Sequence, residues 1–133
     1  MTDTLDLHAP KALGLLRIVA GLLFLAHGTQ KLIGFPAAEF QPPLMSLLGL
    51  GGVIEIVTGA LIVLGLFTRP AAFLASGTMA VAYFLFHAGG SFFPSNNGGD
   101  AAVLFCFVFL TFVFTGPGAF ALDRRTRSGA AYA

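Results

Sequence analysis

The sequence predicts an all-α, polytopic membrane four-helix bundle, and three observations predict it. Hydrophobic residues make up 56% of the 133 positions and charged residues only 10%, against about 25% charged in soluble domains. Mean hydropathy is +0.87. Four apolar segments each come close to the ~20 residues that cross ~30 Å of hydrocarbon. Six acids and seven bases cannot cover the surface of a small soluble fold, which excludes a soluble monomer and a disordered chain. One cysteine excludes a disulfide scaffold. A net charge of +1, with no basic stretch before the last dozen residues, speaks against nucleic acid as a partner.

The first span runs over about 12–33, after a short N-terminal segment 1–11. Its apolar stretch carries no A-x-A-like cleavage site and resumes at Leu32, so it reads as a retained anchor. A loop holding Pro36, Pro42 and Pro43 leads to the second span, about 47–67. Thr68-Arg69-Pro70 makes a tight turn into the third, about 70–88, with Pro at a helix start where its missing N–H costs nothing. A Gly-, Ser- and Asn-rich loop precedes the fourth, about 101–122, which Gly116-Pro117-Gly118 interrupts. A basic tail, 123–133, follows. Each span must be helical, because lipid offers no partner to a free backbone amide.

With an even number of spans, the side holding both termini carries Lys11, Arg17, Arg69, Arg124, Arg125 and Arg127, and the other only Lys31. Basic residues are retained on the cytoplasmic side, so both termini are expected there. Small residues recur at helical spacing in Gly14, Gly21 and Gly28, in Gly51 and Gly59 around Glu55, and in Ser76 and Ala80. Such rows let backbones approach closely in lipid, and they suit a homo-oligomer as well as a bundle.

Charged groups inside lipid cost a few kcal/mol at least, so each calls for a partner or a function. His27 lies about 9 Å and Glu55 about 12 Å from the outer ends of their spans, at 1.5 Å per residue. His87 ends the third span, and Asn97 and Asp100 lead into the fourth. These residues and Lys31 predict a polar pocket in the outer half of the bundle. Glu55 and His27 are the candidate proton-exchanging catalytic groups, and Lys31, His87, Asn97, Asp100 and Arg17 the candidate substrate-binding groups. Each has a plainer use: Glu55 as interhelical glue with Lys31, His27 or Arg17; Lys31 as a snorkelling side chain; Arg17 in a pair with Asp123. Cys106 lies in an apolar run and reads as structural. Nucleotide loops, zinc-ligand clusters and c-type haem motifs are absent from the sequence, so no metal and no cofactor of the chain's own is evident.

Leu16-Arg17-Ile18-Val19-Ala20-Gly21, Phe24, His27-Gly28, Lys31-Leu32 and Gly34-Phe35 resemble the first span of the DoxX family. Gly52-Val53-Ile54-Glu55, Gly59-Ala60-Leu61 and Leu64-Gly65-Leu66-Phe67-Thr68-Arg69 resemble its second block, and His87, Asn97-Gly98-Gly99-Asp100, Gly116-Pro117-Gly118 and Leu122-Asp123 its later part. The resemblance implies a small four-span protein of the bacterial inner membrane. It also implies kinship with a subunit of quinone-linked oxidoreductases and with proteins of quinone, catechol and thiol stress. Arg17, His27, Lys31, Glu55, Asn97 and Asp100 are the family-like polar residues.

Two functions follow as expectations. One is a quinone-linked redox or stress component of the membrane, with quinone as substrate or ligand and its electrons drawn from a partner protein. The other is non-enzymatic: a small-molecule binder, an exporter, or a scaffold for soluble redox enzymes docked on the basic tail.

Overall fold

In a computed structural model of the chain, which describes residues 2–124, five helices follow in order. They are α1 (Thr2–Ile33), α2 (Leu47–Leu64), α3 (Thr68–Phe86), the single turn α4 (Pro94–Asn97) and α5 (Asp100–Thr115). No strand occurs among the described residues. Three of the helices are long and apolar enough to cross a membrane, and α5 is a shorter apolar helix. Arg125 and Arg127 of the basic tail lie outside the described residues.

Two boundaries differ from the sequence expectation. Helix α1 begins at Thr2 rather than near residue 12 and runs through Pro10 for 32 residues. At 1.5 Å each that is about 48 Å, more than the hydrocarbon needs, so its polar first turns extend past one end of the bundle. Helix α5 stops at Thr115 after 16 residues, about 24 Å, instead of continuing to 122. Gly116 (φ 76°) and Gly118 (φ 70°) are left-handed, and Pro117 between them cannot continue a helix. The chain turns back there, and the Ala119 amide donates to the Pro10 carbonyl at 2.8 Å. The start of α1 and the returning segment 119–124 therefore share one end of the bundle.

Polarity is inverted relative to a soluble protein. Leu22, Phe73, Leu85 and Phe107 face outward, whereas Arg17, Glu55, Thr58, Thr68 and Ser76 are buried. That is the arrangement a hydrocarbon solvent selects. α1 packs against α2 through glycines: a Cβ on Gly28 would lie 2.8 Å from the Gly52 carbonyl oxygen, and one on Gly59 3.0 Å from the Leu25 amide. The contact row on α2 is thus Gly52 and Gly59, not Gly51 and Gly59, and a Cβ on Gly51 would meet nothing within 4 Å. α3 packs against α5 through Ala72, Ala75 and Ser76, whose hydroxyl donates to the Cys106 carbonyl at 2.8 Å. Phe24 of α1 closes the bundle on Phe105 and Phe109 of α5, with ring centroids 5.5 and 4.8 Å away.

That end, where segment 119–124 returns to α1, is locked by three polar side chains. Arg17 is fully buried. Its Nε donates to the Ile62 carbonyl at 2.9 Å, Nη1 to those of Pro117 and Ala119, and Nη2 to that of Phe120 at 2.7 Å. One guanidinium therefore ties α1 to the last turn of α2 and to the returning chain. It also holds Phe120 in a left-handed conformation (φ 59°). The partner expected from the sequence, Asp123, contributes by its charge, while its carboxylate accepts the Phe67 and Thr68 amides at 2.8 and 3.0 Å. It so caps the start of α3, where Phe67 is left-handed too (φ 48°). Arg69 donates to the Val113 and Phe114 carbonyls at 2.8 and 3.0 Å, capping the end of α5.

A lysine ammonium cannot span four carbonyls that a guanidinium fork reaches. Arg17→Lys is expected to lower stability by about 3 kcal/mol, the scale of a broken buried polar network, read as thermal unfolding in detergent. Unfolding like that of the wild type would remove Arg17 from this role.

Candidate functional site

The opposite end of the bundle holds the other sequence-predicted residues, and the structure sorts them into separate places. Ser46 starts α2 there, its hydroxyl accepting the Gly49 amide at 3.1 Å. The close α1–α2 contact at Gly28 and Gly52 then brings Lys31 and Glu55 together. Lys31 Nζ lies 2.6 Å from Glu55 Oε1. The Glu55 side chain is only 2% exposed, whereas Lys31 keeps 27%. The second carboxylate oxygen, Oε2, is buried and has no hydrogen-bond partner.

This pair forms the polar end of a groove between α2 and α3, about 380 Å³ in volume. Leu50, Ile54, Phe73, Leu74 and Leu85 supply its apolar wall, and Gly51 and Gly77 its most open stretch. Thr78, the other polar lining residue, gives its hydroxyl hydrogen to the Leu74 carbonyl at 2.8 Å. Volumes of about 300–1,000 Å³ with apolar walls and few polar groups are typical of small-molecule sites.

His87 and Asn97 meet elsewhere, where α4 folds over the end of α3. Asn97 Nδ2 donates to the Tyr83 hydroxyl at 3.1 Å and to the Ser91 carbonyl at 3.0 Å. Its Oδ1 accepts the Gly99 amide at 2.8 Å. His87 Nδ1 lies 3.3 Å from the Asn97 carbonyl, and its ring stacks on Tyr83. With the Asn97 side chain so occupied, this cluster staples the loop. Asp100 is exposed in the first turn of α5, where an acid complements the helix dipole. His27 is exposed on α1, edge-on to Phe105 at 5.8 Å, and no hydrogen bond joins it to Glu55 among the described residues. Arg17 lies at the far end, in the lock described above. The six-residue outer pocket expected from the sequence is thus a Lys31–Glu55 pair on a groove, a His87–Asn97 staple, and two separate residues.

The groove itself was not legible beforehand. Its one sequence signal is Gly51, which stands beside Gly52 but off the seven-residue step to Gly59. A second glycine there has no helix to approach. No metal-binding cluster of three or more His, Cys, Asp or Glu occurs among the described residues.

The DoxX family model matches residues 12–88, more than half of the chain and the part that holds Arg17, His27, Lys31, Glu55 and His87. The chain belongs to the DoxX family. Full-length similarity agrees with this. An uncharacterized protein of Haemophilus influenzae is 45% identical over 92% of this chain and 96% of its own. An uncharacterized membrane protein of Mycobacterium tuberculosis is 34% identical over 90% and 85% respectively. The inner membrane protein YphA of Escherichia coli is 33% identical over 87% and 91%. No solved structure matches the chain. This DoxX protein is accordingly an integral membrane protein in contact with the lipid bilayer.

Removing Lys31 from the pair leaves a buried carboxylate without its counter-charge. Because Lys31 is partly exposed, Lys31→Met is expected to cost about 2 kcal/mol, below the range for fully buried pairs. Adding Glu55→Gln should recover most of that loss. A double-mutant cycle on thermal unfolding measures the coupling, and additive losses would show that the pair contributes no joint stability.

Proposed function

We propose that this DoxX protein binds a quinone-type ring compound from the bilayer in the α2–α3 groove and serves as a quinone-linked redox or quinone-stress component of the bacterial inner membrane. The observation that carries this is the buried Glu55 carboxylate, one oxygen paired with Lys31 and the other open, at the polar end of an apolar groove. A quinone has an apolar ring and two oxygens on opposite edges. The groove wall suits the ring, Lys31 suits one oxygen in either redox form, and the Glu55 carboxylate suits that oxygen when it carries a hydrogen. Lys31 donates to a ligand oxygen, while Glu55 exchanges a proton with it as the ring is oxidised or reduced. The electrons belong to a partner protein, and the chain's own part is binding, orientation and the proton. The distribution of basic residues favours an orientation with both termini in the cytoplasm, so the groove serves the outer half of the membrane. His27, on the Phe105 side of α1, is not used in this binding step.

In lipid nanodiscs, short-chain ubiquinone and menaquinone analogues are expected to bind saturably. Glu55→Gln should weaken binding of their reduced, quinol forms about tenfold, the value of a hydrogen bond to a charged group. His27→Ala should change it by no more than about twofold, as for a residue outside the contact. Absence of saturable binding to folded wild-type protein would overturn the proposal and leave the non-enzymatic scaffold as the better reading.

A further inference from the structure

We infer that the groove is filled sideways from the bilayer, through a portal between Gly51 and Gly77, and that the open Glu55 oxygen selects ring ligands bearing a hydroxyl over their carbonyl or ether counterparts. This rests on the α2–α3 groove being the ligand site, and it adds the route of entry and the chemical form that binds.

The portal follows from a contrast among the glycines. A Cβ on Gly28, Gly52 or Gly59 would press on the facing helix within about the 2.8–3.1 Å seen there, so those glycines are explained by packing. A Cβ on Gly51 or Gly77 would meet nothing within 4 Å. Both line the groove, one on each of its two helices. Glycine in a helix interior is less stable than alanine, and at neither position does a close helix contact offset that cost. What the two glycines provide is the opening itself. Around them the outward-facing Leu50, Phe73, Leu74 and Val81 keep the mouth apolar, as a route from lipid requires.

Selection follows from the hydrogen-bond inventory at the polar end. Glu55 Oε1 accepts from Lys31, and Oε2 is a buried acceptor with no donor. Thr78 has already given its hydrogen to the Leu74 carbonyl. The position that the ligand must fill is therefore that of a donor. A phenolic or quinol O–H donates to Oε2 and relieves an unsatisfied buried acceptor. A quinone carbonyl or an aryl ether offers only lone pairs there, facing a carboxylate oxygen that needs a donor. Lys31, with three donors and partial exposure, remains able to serve a second oxygen of either form, so the discrimination lies with Glu55.

The test uses a pair of probes that cannot change oxidation state, 4-octylphenol and 4-octylanisole, titrated by calorimetry into the full-length protein in nanodiscs, with empty nanodiscs subtracted. The phenol is expected to bind about tenfold or more tightly than the ether, the value of a hydrogen bond to a charged acceptor. Glu55→Gln should remove most of that preference. Gly51→Leu and Gly77→Leu should each weaken the phenol about tenfold, with wild-type thermal stability, since both side chains grow into open space. Equal binding of phenol and ether overturns the selection. Wild-type affinity in both leucine variants overturns the portal, while a loss in Glu55→Gln alone would still leave the groove as the site. If the wild type binds neither probe and no quinone analogue, the site reading fails, and this inference with it.

Discussion

The Arg17 guanidinium is the interaction on which the rest of the architecture depends. It replaces water for four backbone carbonyls at the place where a short bundle has most difficulty satisfying them. Those carbonyls belong to the end of α2 and to a chain that has just left α5. In hydrocarbon, an unsatisfied carbonyl at either place costs several kcal/mol. Once Arg17 is buried there, other features follow. Gly65 must lack a side chain, because a Cβ would lie 3.1 Å from the Arg17 Cζ and closer still to Ala121. Gly14 and Gly118 must be small where the returning chain crosses α1. Helix α5 can then end at Thr115, short of a full span, because Arg69 takes two of its last carbonyls and Asp123 uses the same segment to cap α3.

The two ends of the bundle thus treat their charges in opposite ways. At the terminal end, every hydrogen bond of Arg17 goes to backbone, and the geometry is that of a fastener. At the other end, Glu55 is held by one lysine and keeps one oxygen without a partner, beside a groove that α2 and α3 leave open. A purely structural pair gains from satisfying all its atoms. A buried carboxylate oxygen without a partner is costly, and here the close α1–α2 contact at Gly28 and Gly52 places Lys31 beside only one of the two oxygens.

The spans, the loop prolines and the placement of Lys31 and Glu55 toward the end of the bundle away from Arg17 were legible because hydropathy and helical rise report depth directly. Azimuth was not. Gly51 and Gly52 differ by one residue, about 100° around the helix, and a short row of small residues cannot say which of them meets α1. The same limit put His27 and Glu55 in one pocket, although the exposed His27 ring packs on Phe105. Arg17 was legible as a cation in the first span that calls for a partner, but not as a buried donor to carbonyls, since a backbone acceptor has no residue type to recognise. Asp123 was offered as its partner on charge, and its capping of α3 spans more than fifty positions with no local signature. Gly116-Pro117-Gly118 was visible as an interruption. That the chain reverses there, rather than resuming its span, depends on contacts with Pro10 and Gly14.

Backbone hydrogen exchange of the protein in nanodiscs, with and without a short-chain quinol, tests this division of labour most directly. The account predicts that the Ala119 and Asp123 amides are already protected without ligand, and that the quinol adds protection only along α2 near Glu55 and along the facing part of α3. Rapid exchange at Ala119 and Asp123 that slows only when ligand is added would contradict it, because the end fastened by Arg17 would then be part of the ligand response.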